Sequence, residues 1–131
     1  DFENRVQNLK NREEIGRYAV RHFITMGHYY FEKAISIIND DKIKLYSSYS
    51  QKSFGYYIKA CAFAHQHVMP RFYFAINIFR ERILYIVNIN PQLIKHIYSD
   101  LSKSWIEAGL EPDQFDDIMD ILHAIMRLKT K

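Results

Sequence analysis

Apolar side chains recur along the chain at intervals of three and four, and short polar or proline-bearing clusters interrupt them. From Arg12 to Asn39 the positions Ile15, Ala19, Phe23, Ile24, Phe31, Ala34, Ile35 and Ile38 keep helical spacing. Asn11 is placed to cap that helix, with Glu14 as its capping-box partner. Phe2, Val6 and Leu9 predict a short amphipathic turn ahead of it. Gly27 lies inside the pattern, where glycine costs about 1 kcal/mol against alanine. It marks a kink or a close backbone approach. A second helix is predicted from Lys42 to Val68. One face carries Ile43, Tyr46, Phe54, Tyr57, Ile58, Cys61, Ala62, His65 and Val68, and another Tyr56, Lys59, Phe63 and His67. A helix apolar around most of its circumference is buried on most sides.

Pro70 lacks an amide donor and restricts Met69 to extended conformations, so one helix ends there and another starts. The next runs from Arg71 to Asn88, with Phe72, Ala75, Phe79, Ile83 and Ile86 on one stripe. Asn90-Pro91 reads as an N-cap followed by proline at the first helical position. Gly109 reads as a left-handed C-cap with Leu110 as its apolar contact, and Pro112 opens a last helix. No stretch alternates with period two. The pattern predicts an all-α chain forming one domain over residues 1–131.

Composition narrows the function classes. The net charge is only +3 and the Lys and Arg residues are scattered in sequence, so nucleic acid is not an expected partner. Cys61 is the one cysteine and lies in an apolar run, which makes it a small buried hydrophobe. No apolar run reaches the ~20 residues of a membrane span, and no signal peptide is read, so the expected location is cytoplasmic. His65 and His67 are two apart and diverge on a helix, and His22 and His28 share no face, so no metal site is predicted. No phosphate loop or nucleophile elbow occurs, and no catalysis is expected. What stands out is the aromatic share, ten Tyr and nine Phe, with Arg21, His22, Lys59, His67 and Arg71 set among them.

From Lys59 to Phe79 the chain resembles the helix F to helix G corner of the sensor globins and protoglobins. Those families place a proximal histidine seven residues before a proline that is followed by an aromatic pair. Here Pro70 is followed by Arg71, Phe72 and Tyr73, and Phe63 stands where the haem-ligating histidine belongs. The resemblance is therefore to the haem-less globin sensor domains of Bacillus, which include the sensor domain of a sporulation histidine kinase and small inhibitory proteins that imitate it.

That resemblance implies a sensor-globin-type fold, no haem, and a fatty acid in the vacated space with chloride nearby. It implies a homodimer through the two C-terminal helical segments, and inhibition of sporulation by mimicking or competing with a sensor histidine kinase. The apolar wall would be Phe23, Met26, Tyr30, Phe31, Phe63 and Phe74. Lys59, His67 and Arg71 would hold the carboxylate or halide. Two alternatives stand beside it: a haem globin using His65 or His67 out of register, and a ligand-free helical interaction module.

Overall fold

In the computed structural model residues 2–38, 43–66 and 71–129 are described, and they form helices α1 (Phe2–Ser36), α2 (Ile43–Gln66), α3 (Arg71–Ile89), α4 (Leu93–Glu107) and α5 (Pro112–Lys129). The architecture is all-α, as the periodicity predicts. Among the described residues no helix is long and apolar enough to cross a membrane.

The long first helix departs from expectation. α1 is one helix of 35 residues with no separate opening turn. Asn11 does not cap it; its Oδ1 accepts from Nε2 of Gln7 at 3.1 Å, a contact between successive turns of a continuous helix. No proline or glycine interrupts residues 2–15, so nothing stops the helix from extending toward the N-terminus. That first part is poorly covered, with Phe2 80% and Ile15 64% exposed.

α2 is the central element, packing against α1, α3 and α4, and its pairing with α1 is the most extensive in the molecule. Gly27 is where the two approach. A Cβ there would lie 2.5 Å from Cε1 of Tyr57, so only glycine admits the ring. Ser53 donates its hydroxyl to the Gly27 carbonyl at 2.7 Å, tying the two helices at the same point. The spacing signal at Gly27 marked an approach rather than a kink.

The α3–α4 junction also differs. Asn90 donates its amide to the Ile86 carbonyl at 2.7 Å, which extends the hydrogen bonding of α3. Helix α4 begins at Leu93, and the preceding Gln92 makes no side-chain cap. The end of α4 is as predicted: Gly109 has φ +80, its amide bonds the Ile106 carbonyl at 3.0 Å, and the Leu110 amide bonds that of Trp105 at 3.3 Å. Trp105 Nε1 donates to the Glu111 carbonyl at 2.7 Å and fastens the corner into α5. Around it Phe54, Phe79, Trp105 and Phe115 form a chain of ring contacts with centroids 5.5–6.0 Å apart.

Candidate functional site

The residues expected to line one pocket are distributed over three places. Phe23 and Phe63 meet with centroids 6.4 Å apart, so each covers the other at the α1–α2 seam. Phe31 is buried, with the edge of Tyr85 at 5.8 Å and the Arg82 guanidinium 4.6 Å above its ring. Tyr30 lies in a surface stack with Tyr49 and Tyr56, and Met26 is half-buried. Lys59 is exposed, its ammonium 5.0 Å from the Tyr56 ring centroid. His67 and the corner at Pro70 lie outside the described residues, as does the side chain of Arg71. His65, the other candidate haem ligand, is exposed with its ring 4.9 Å from that of Phe72.

Of the expected wall, Phe74 borders an open cleft between α1 and α3. It is 59% exposed, near the start of α3, and faces α1 across a space of about 420 Å³ lined by Val20, Arg21, Ile24 and Thr25. The lining follows from helical spacing: Val20 and Ile24 stack one turn apart on the inner edge of α1, and Arg21 and Thr25 follow on the outer edge. The floor is apolar, the far wall is an aromatic ring, and a permanent cation stands at the rim. The volume lies within the ~300–1,000 Å³ of small-molecule sites. Arg21 also borders a smaller adjoining depression with Glu14, Arg17 and Tyr18. Among the described residues no group of three or more His, Cys, Asp or Glu side chains is placed to hold a metal ion.

Two groupings escaped the sequence reading. The first is polar and interior. His28 Nδ1 and Tyr57 Oη are 2.6 Å apart beside the Gly27 crossing. Burial, then the Arg82 charge, hold His28 below its ordinary value, with Glu32 opposing. Burial likewise pushes the Tyr57 phenol up to about 12, against the pull of Arg82. A neutral imidazole accepting the phenol proton satisfies both groups.

The second lies on the surface. Tyr30 stacks with Tyr56 at 5.8 Å and 3° and with Tyr49 at 6.4 Å and 28°, while Tyr29 meets Tyr30 edge-on at 5.1 Å. Lysine ammoniums lie over these rings: Lys33 over Tyr29 and Tyr49, Lys52 over Tyr30, Lys59 over Tyr56, all between 4.7 and 5.5 Å. The signal was present in the 3-4-3 spacing of Tyr49, Lys52, Tyr56 and Lys59.

Fold and cleft together define an all-helical protein with an open apolar cleft rimmed by arginine. No family model, curated protein or solved structure matches the chain.

Proposed function

We propose that the chain is a non-haem, globin-like sensor domain whose ligand is a fatty acid. The observation that carries this reading is the α1–α3 cleft, with Val20, Ile24 and Phe74 as its apolar lining and Arg21 at its rim. A buried saturated chain gains roughly 0.8 kcal/mol per methylene, so ten contribute about 8 kcal/mol before the loss of freedom on binding. The guanidinium stays charged at every physiological pH and offers a carboxylate two parallel hydrogen bonds. The anchor proposed is thus Arg21 in place of Lys59, which lies on the Tyr56 ring away from this cleft. A halide would take the same cationic rim.

The reading extends to a homodimer through α4 and α5, which expose Tyr98, Ile106, Ile121 and Leu128. It also extends to inhibition of sporulation by mimicry of a sensor histidine kinase domain, a role that asks for no catalysis. A second reading, the ligand-free interaction module, is favoured by the ring contacts that already fill the space around Phe23, Phe63 and Phe31. Thermal unfolding with added C12 to C18 fatty acids separates the two. A ligand at a hundred times its Kd stabilises by about 2.7 kcal/mol, so the sensor reading expects a clear rise in Tm that Arg21→Glu abolishes. An unchanged Tm across the series refutes it.

A further inference from the structure

We propose that the tyrosine–lysine face of α1 and α2 binds single-stranded nucleic acid, with bases on the rings of Tyr30, Tyr49 and Tyr56 and phosphates on Lys33, Lys52 and Lys59. The lysines that look scattered in sequence are gathered here by the pairing of the two helices. α2 carries Lys44, Lys52 and Lys59 and no carboxylate over its whole length, and α1 from Gly16 to Ser36 carries one, Glu32. Glu32 acts on the His28–Tyr57 pair. Among the described residues of the two helices the charges gathered on this face are lysines, which disfavours a cationic guest and favours an anionic one.

The rings decide which anion. Centroid separations of 5.8 and 6.4 Å for near-parallel rings mean offset stacking, in which each ring keeps part of its face uncovered by its neighbour. What lies over those faces is ammonium. A nucleobase is a planar π-system that can take that place, and the displaced lysines, on flexible four-carbon stems, then reach the phosphates on either side. Tyr29 is 49% exposed and stands edge-on to Tyr30, closing one end of the platform. An acidic peptide would use the lysines and leave the stack without a role. A membrane surface would need rings free to insert, whereas Tyr30, Tyr49 and Tyr56 are half-buried in one another and in the seam.

The test is fluorescence anisotropy of a labelled 12-nucleotide single strand titrated with the full chain, beside the matching duplex and phosphatidylserine vesicles. The expected result is saturable binding that prefers the single strand, with log K falling against log salt at a slope near −2 for about three phosphate contacts. Tyr30→Ala and Tyr56→Ala should each weaken binding roughly tenfold, as loss of a stacked base does. Lys52→Glu with Lys59→Glu should abolish it, and both side chains are exposed, so unchanged helical circular dichroism is expected to accompany the loss. No binding at low salt, binding indifferent to the tyrosine changes, or binding to the vesicles without binding to the strand would each overturn the proposal.

Discussion

A methyl group at position 27 would meet Cε1, Cδ1 and Cζ of Tyr57 at 2.5–2.9 Å. That ring is fully buried and held through its hydroxyl by His28, so it has no free direction in which to give. Gly27→Ala should destabilise by about 1–3 kcal/mol, the usual cost of overpacking, read as a lower urea midpoint at unchanged slope. The two buried serines of α2 make a paired comparison. Ser53→Ala removes a second donor from the Gly27 carbonyl, which keeps its bond within α1, and should cost about 0.5–1.5 kcal/mol. The Ser50 hydroxyl, also buried, has no hydrogen-bond partner among the described residues. Ser50→Ala removes an unsatisfied group and should be neutral or stabilising in the same denaturation experiment.

His28 adds a pH dependence of known sign. The groups facing it are Tyr57 on α2, Arg82 on α3 and Glu32 on its own helix. Its folded value is depressed, so below about pH 6.5 the unfolded chain takes up a proton that the folded chain still refuses. Stability contributed by the neutral ring is complete above that value and is lost as the pH falls toward the folded pKa. Urea midpoints measured from pH 7.5 down to 5 should decline more steeply for the wild type than for His28→Gln.

At the scale of the helices, α2 carries a second glycine in open space. A Cβ on Gly55 meets nothing within 4 Å, so Gly55→Ala should stabilise by about 0.8–1 kcal/mol through helix propensity alone, raising Tm by a few degrees. The elements themselves were largely legible, because helical spacing and the Gly109 signal are local properties of the chain. The errors fell at helix starts: Asn11 engages Gln7 inside a continuous α1, and α4 begins at Leu93, beyond Asn90-Pro91. The site was much less legible. Phe23, Tyr30 and Phe31 are neighbours in sequence, but 3.6-residue periodicity sends them to different partners: Phe63, the tyrosine stack and Tyr85. Arg21 stood out as a cation among aromatics, yet nothing in the sequence says that Phe74, fifty-three positions later, closes a cleft over it.

For the whole molecule, charge is uneven from helix to helix. α2 is purely basic, whereas α5 opens with Asp113, Asp116, Asp117 and Asp120. The proposed dimer places α4 and α5 against their copies, leaving the α1 cleft and the α1–α2 face outward for ligands. Ile106 and Ile121 are 56% and 42% exposed on those helices. The pair of changes Ile106→Lys and Ile121→Lys should convert a dimer mass to a monomer mass by light scattering, with helix content unchanged. An unaltered mass would move the interface elsewhere.

The central claim, a fatty acid seated in the α1–α3 cleft with its carboxylate on Arg21, is tested most directly by native mass spectrometry of the chain after incubation with palmitate. One added fatty-acid mass per chain is expected in the wild type, and none at the same concentration in Arg21→Glu. A wild-type spectrum of unliganded chain alone, or equal adducts in both proteins, would contradict it.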